Sequence, residues 1–167
     1  MLMIFNRQSM SGNLSTTLII SGVVLTIGVT FLMVILPNLL KPPIELRLGD
    51  GIFKTTIVSN DVDRAKGLSV VKELAPDQAI MMAFPTESEW GASIKDTTIP
   101  IDIVWLDKSK KVIFIVKNIS PKDSKGITYT PKTPAKYIVQ LPFGTVDNKA
   151  IKINSVAIFQ IDSQVIK

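Results

Sequence analysis

Cysteine and histidine are both absent from the 167 residues. Without cysteine there is no disulfide, no thiol nucleophile and no thiolate metal site. Without histidine there is no imidazole ligand and no histidine-based triad. The oxygen donors do not gather into an Asp-rich calcium loop either, so neither a metal nor a cofactor is expected. Alanine is missing before Ala65, and charge is missing from Thr16 to Leu40. The first of these removes the small-residue cleavage site of a secretory leader. The second leaves an apolar run of about 20–24 residues which, at ~1.5 Å each, is long enough for a ~30 Å hydrocarbon layer.

A helix that is apolar on every side has no solvent face to present, and it suits lipid better than the surface of a globular domain. Gly22 and Gly28 are compatible with lipid, where the backbone has no competing partner. Their spacing is not the Gly-x3-Gly pairing motif. Pro37 and Asn38, then Lys41-Pro42-Pro43, end the run. The expected organisation is therefore a tail over 1–15, a transmembrane helix over 16–40 retained as a signal anchor, a Pro-rich exit linker over 41–46, and a β-rich domain over 47–167. Arg7 on one side, against Lys41 and Arg47 on the other, leaves the positive-inside count close to balance.

Of the 19 Lys and Arg residues only Arg7 precedes Lys41, and all 14 acidic residues follow it. The net charge of +5 does not point to nucleic acid, because the lysines are scattered and not interleaved with aromatics. The densest run, Lys108-Ser109-Lys110-Lys111, reads as a hairpin turn between two apolar strands. An excess of lysine equally suits an anionic lipid surface beside the anchor.

Past the exit, short segments rich in Val, Ile, Thr and aromatics alternate with Gly, Pro, Asn and Asp, the pattern of a mainly β domain. The expected strands are Ile44–Leu48, Ile52–Val58, Ala79–Phe84, Ala92–Lys95, Ile101–Leu106, Val112–Lys117, Ala135–Leu141 and Val156–Ile161. Asn60-Asp61-Val62-Asp63 opens a short helix with acidic groups in its first turn, and Asp147–Ile151 suggests another turn of helix. A domain of this size buries one core.

Three segments resemble a known family: Asp63-Arg64-Ala65-Lys66-Gly67-Leu68, then Ile94-Lys95-Asp96-Thr97-Thr98-Ile99-Pro100-Ile101-Asp102-Ile103, then Pro134-Ala135-Lys136-Tyr137-Ile138-Val139-Gln140-Leu141-Pro142-Phe143-Gly144-Thr145. Their order and spacing are similar to those of the bacterial and archaeal family called domain of unknown function 192, over roughly Ile44 to Asp162. The resemblance implies a compact β-sandwich or barrel with one or two short helices, often secreted or membrane-anchored, and no established reaction. The chain departs from the family pattern at Ala92-Ser93-Ile94, where Phe-Trp-Met is usual, at Asp96, commonly Asn, and at Asn154-Ser155, commonly Gly-Asp.

Lys95, Asp96 and Asp102 form a compact polar constellation between apolar segments. A lysine desolvated beside carboxylates can act as base or nucleophile, and two carboxylates can divide acid and base roles, which would make the protein a hydrolase or lyase. The other reading is structural: Asp102, set between Ile101 and Ile103, accepts backbone N–H bonds or pairs with Lys95. Trp90, Tyr129 and Tyr137 are the candidate ligand or partner contacts, Trp90 because it follows Glu87-Ser88-Glu89 in a loop, whereas Trp105 alternates with Ile101 and Ile103 as a core residue does. Ser120–Pro134 has no periodicity, and Tyr129-Thr130-Pro131 within it is the place to look for a partner. The expected function is a binding or assembly module at the cytoplasmic membrane, its domain outside the cytoplasm. Its partner would be an envelope polymer, a peptide or a membrane protein.

Overall fold

The computed structural model describes residues 43–61, 64, 73–94, 97–122, 126–162 and 166. The chain divides into two units, Met1–Pro42 and Pro43–Lys167, and every described residue belongs to the second. The expected transmembrane helix over 16–40 lies outside the described residues, among which no helix is long and apolar enough to cross a membrane.

Among the described residues, eight strands and one short helix follow in order: β1 (Ile44–Leu48), β2 (Gly51–Val58), β3 (Gln78–Ser88), β4 (Ala92–Ser93), β5 (Ile101–Leu106), β6 (Val112–Ile119), β7 (Thr128–Tyr129), β8 (Ala135–Pro142) and α1 (Thr145–Asn148). Six strands form one open mixed sheet in the order β1-β2-β3-β8-β5-β6, and β4 pairs with β7 in a separate two-stranded ribbon. The family resemblance implied a sandwich or barrel; the strands instead make this open sheet, parallel between β2 and β3 and antiparallel elsewhere. The parallel pair requires a crossover, which the segment between Val58 and Gln78 supplies. Of the helix expected from Asn60, the described part is one helical bond, from the Arg64 N–H to the Asn60 carbonyl at 2.9 Å. The rest lies outside the described residues.

Strand chemistry follows position in the sheet. In β2 buried Gly51, Phe53 and Thr55 alternate with exposed Ile52, Lys54 and Thr56, as in a strand with one wet face. The central strands β3, β5 and β8 are buried on both faces, and β5 is buried at all six positions. Two apolar cores result. The first gathers Leu46, Leu48, Phe53, Met81, Val104, Leu106, Val139, Leu141, Val146 and Phe159. The second, on the other face, gathers Ile80, Met82, Phe84, Ile94, Ile101, Ile103, Trp105 and Ile138, with Ala92 of the ribbon. Truncating a fully buried member such as Trp105 should cost about 3–5 kcal/mol.

The expected strand Val156–Ile161 is a strap that makes two isolated bridges, Arg47 with Ile158 and Lys111 with Val156. Arg47 and Ile158 exchange both backbone bonds at 2.9 Å, while Val112 accepts from Asn154 and donates to Ser155. The strap therefore reaches both edge strands, β1 and β6, and covers backbone groups that an open edge would offer to other chains. Gly49, with φ +57 in the β1–β2 turn, has no room for a side chain, since a Cβ there would lie 2.1 Å from the Lys149 carbonyl oxygen. That carbonyl accepts from the Asp50 N–H at 2.8 Å, which docks the hairpin tip onto the end of α1.

Candidate functional site

Asp102 is the one member of the Lys95–Asp96–Asp102 constellation within the described residues; Lys95 and Asp96 lie outside them. It sits on β5 at 0% exposure, among the apolar residues of the first core. One carboxylate oxygen accepts the Asn118 N–H at 2.8 Å and the other accepts the Val146 N–H at 2.8 Å. Both partners need it. Asn118 has φ 58 where the β5–β6 register shifts, so its N–H has left the regular ladder. Val146 is in the first turn of α1, which begins after Gly144 (φ 74) and has no side-chain cap of its own. Asp102 thus caps α1 from a distant strand and pins the β6 bulge, with both oxygens in use.

Trp90, placed in a loop by its polar neighbours, is half-buried and fastened in three ways. Its ring stacks on Phe84 with centroids 4.4 Å apart and planes 9° from parallel. Its indole N–H donates to the Thr86 carbonyl at 3.0 Å, and its own carbonyl accepts the Trp105 indole N–H at 2.8 Å. Arg64 lies over the Phe84 ring at 5.1 Å and donates to the carbonyls of Ala83 and Ser59. Phe84 thus meets both the Trp90 ring and the Arg64 guanidinium.

Tyr129, on β7, pairs with Ala92 and packs half-buried on the second core with Trp90. Tyr137 belongs to the first core, 8% exposed and edge-on to Phe159 at 5.1 Å and 85°. Burial pushes its phenol above the ordinary tyrosine range. The fold therefore brings Trp90 and Tyr129 to one core and separates them from Tyr137. On β8, between Ile80 and Ile103, the Gln140 side-chain oxygen is buried without a hydrogen-bond partner among the described residues. No group of three or more acidic residues arranged to hold a metal ion occurs among the described residues.

Among the described residues, two clefts flank β1. One, of about 400 Å³, is lined by Ile44, Glu45, Arg47, Ile158, Phe159 and Gln160. The other, of about 320 Å³, runs from Pro43 past Ile52 to Lys54 and Asp77. The Lys54–Asp77 pair across it, at 2.8 Å, raises the lysine and lowers the aspartate through their mutual hydrogen bond and charge. Both groups are well exposed, so solvent screens the pair. Sequence reasoning missed this region. In Val156-Ala157-Ile158-Phe159 four apolar residues follow one another, and no alternation marks which side faces water. In the structure Val156 and Ile158 are exposed and Ala157 and Phe159 are buried.

Among proteins with sequence similarity is the UPF0127 protein TK1120 of Thermococcus kodakarensis, 30% identical over 95 residues. The match spans 56% of this chain and 56% of that relative, so the chain covers little more than half of the relative's length. Two crystal structures share the fold. One is a protein of Sinorhizobium meliloti 1021, provisionally named a transcription regulator, with TM-score 0.64 and 18% identity over 71% of this chain and 92% of that one. The other is a protein of unknown function from Novosphingobium aromaticivorans DSM 12444, with TM-score 0.63 and 18% identity over 70% of this chain and 83% of that one. At such identity the likeness is one of fold alone. The resemblance carried by the three sequence segments is matched by a family model over residues 45–158, and the chain belongs to that family, DUF192, described as Uncharacterized ACR.

Proposed function

We propose that the protein is a bilayer-tethered binding or assembly module. Its β-rich domain is held outside the cytoplasm, where it engages an envelope polymer, a peptide or another membrane protein. The tether rests on the uncharged run from Thr16 to Leu40, which is followed at once by a domain with its own two cores. The observation that favours binding over hydrolase or lyase chemistry is the engagement of Asp102. A general acid or base must reach substrate, and this carboxylate is sealed at 0% exposure with both oxygens accepting backbone N–H groups. A role as a fixed brace accounts for both contacts without a reaction.

The test is made on the full chain in its own membrane. Protease added to spheroplasts should remove the domain, while alkaline carbonate should leave the anchor in the membrane. Photo-crosslinking from positions 90 and 129 should then trap a specific polymer or protein. A domain protected until lysis, a chain released by carbonate, or turnover of model esters or peptides that is lost in Lys95→Ala would overturn the reading.

A further inference from the structure

Six large apolar side chains are exposed among the described residues, and three of them share one surface. Arg47 on β1 lies opposite Ile52 on β2 and opposite Ile158 on the strap. Directly paired residues of antiparallel strands point to the same side, so Ile52, Arg47 and Ile158 form a row across three adjacent segments. Val156 is two residues from Ile158, on the same side of the strap, with Lys111 as its bridge partner. Ile52, Val156 and Ile158 are 57%, 60% and 66% exposed, so solvent meets a strip of apolar side chains with Arg47 between Ile52 and Ile158 and Lys111 beside Val156. Ile153 and Lys152, both exposed, stand in the turn that leads into it.

Two carboxylates of this face are paired. Glu45 is held by Arg47 at 2.7 Å, and Asp77 is held by Lys54 at 2.8 Å. The Lys111 and Lys152 ammonium groups form no ion pair among the described residues, and the Lys111 N–H donates to the Asp107 carboxylate at 2.9 Å. Beside the strip, the groove of about 400 Å³ has apolar walls from Ile44 and Phe159 and the Arg47 guanidinium at its rim. Apolar side chains interleaved with Arg47 and Lys111 match the boundary where acyl chains meet anionic headgroups.

On the tether reading, that boundary is close in sequence. Ile44 opens β1 four residues after Leu40, the end of the uncharged run, and four residues span at most ~14 Å. The inner side of β1, Leu46 and Leu48, is core, so its outer side is the one available to a neighbouring surface.

We propose that the outer face of β1, β2 and the strap docks on anionic lipid, with Ile52, Val156 and Ile158 entering the headgroup layer and Arg47 and Lys111 meeting lipid phosphates. This rests on the tether reading above. Docking fixes the orientation of the domain on its membrane, and it leaves the β4–β7 ribbon over the second core, with Trp90 and Tyr129, to meet a partner.

The absence of native cysteine allows one thiol to be introduced at a chosen point. The full chain carrying Gln160→Cys or Thr128→Cys, each labelled with a fluorophore, is reconstituted in nanodiscs containing headgroup-nitroxide lipid. Position 160 adjoins the strip, and position 128 is on the separate β4–β7 ribbon over the second core. Quenching at 160 should exceed that at 128 in phosphatidylglycerol nanodiscs. The difference should shrink in pure phosphatidylcholine, and in about 1 M salt, where the screening length is ~3 Å. Arg47→Glu with Lys111→Glu should reduce the docked population by at least about tenfold, since each basic residue near an anionic surface contributes roughly fivefold. The lipid and salt comparisons need no change to the face itself, so they stand even if the charge reversal impairs folding. A retained chain quenched equally at both positions, or equally in both lipids, overturns docking and leaves the tether intact. Self-quenching between chains at position 160 overturns docking in favour of a second copy on the strip. A chain that elutes free of the nanodiscs overturns the tether, and docking with it.

Discussion

The Lys110 ammonium lies 4.4 Å from the centroid of the Phe159 ring and donates to the carbonyl of the same residue at 2.6 Å. Lys110 also accepts the Ala157 N–H through its own carbonyl, so one residue of the β5–β6 turn holds the strap by backbone and by side chain. Its φ of 64 places it in the left-handed region, a conformation that the turn imposes and the clasp helps to offset.

Lys110→Met keeps the aliphatic stem and deletes the charge. The expected cost is about 2 kcal/mol, the sum of a charge-assisted hydrogen bond and a modest cation–π contact. Phe159→Leu retains the carbonyl, so a double-mutant cycle with Lys110→Met should isolate the ring's share at roughly 0.5–1 kcal/mol. Urea midpoints of the four proteins measure it. Coupling near zero would mean that the ammonium is held by the carbonyl alone.

Asp102 should be less forgiving. Asp102→Ala leaves the buried Val146 N–H and the part-buried Asn118 N–H without an acceptor and should cost about 3 kcal/mol. Asp102→Asn should cost nearly as much, because its amide NH2 must face one of two N–H donors. Hydrogen exchange gives a sharper check: the Asn118 and Val146 amides should lose protection in both variants, ahead of amides in the sheet centre. A neutral Asp102→Asn would show that one of the two contacts does not form.

The strands were legible where burial leaves a local pattern. β1 and β5 begin and end where the sequence places them, since β1 alternates and β5 is an unbroken apolar run around Asp102. The turn at Lys108-Ser109 was legible for the same reason, from polar residues between two apolar runs. β7 was not, because two residues inside a polar segment carry no period. Helix α1 starts at Thr145, two residues before the expected Asp147, because what fixes its start is the positive φ of Gly144 and an acceptor 44 residues away in sequence. Asp102 was picked out for being a carboxylate among isoleucines. Its partners could not be read, since both are backbone amides brought to it by the sheet and the bulge.

Tyr137 makes stability depend on alkaline pH. Burial raises its phenol in the folded protein above the ~10 of an exposed tyrosine. The unfolded chain therefore releases this proton first as pH rises. The contribution is fully present below about pH 10 and is lost as pH climbs from there through the folded-state value. Tyr137→Phe keeps the ring against Phe159 and removes the proton. Between about pH 8 and about pH 11, the wild-type midpoint should fall further than that of the variant. Equal falls would show that the phenol is not held neutral by the fold.

Gln140→Met is expected to change stability in the opposite sense to most core substitutions. The Gln140 side chain is 1% exposed on β8, and its oxygen has no hydrogen-bond partner among the described residues. Burying an amide oxygen without a donor carries a desolvation cost of about 1–3 kcal/mol. Methionine has nearly the same length and volume, carries no such oxygen, and adapts to the gap between Ile80 and Ile103. The substitution should therefore raise the urea midpoint by the equivalent of about 1 kcal/mol, whereas Gln140→Ala should lower it by opening a cavity. Comparing the two separates the polar cost from the packing gain at one position. A midpoint lowered by more than about 1 kcal/mol in Gln140→Met would mean that the oxygen is satisfied in solution, and the donor would then have to be sought on the face of the second core.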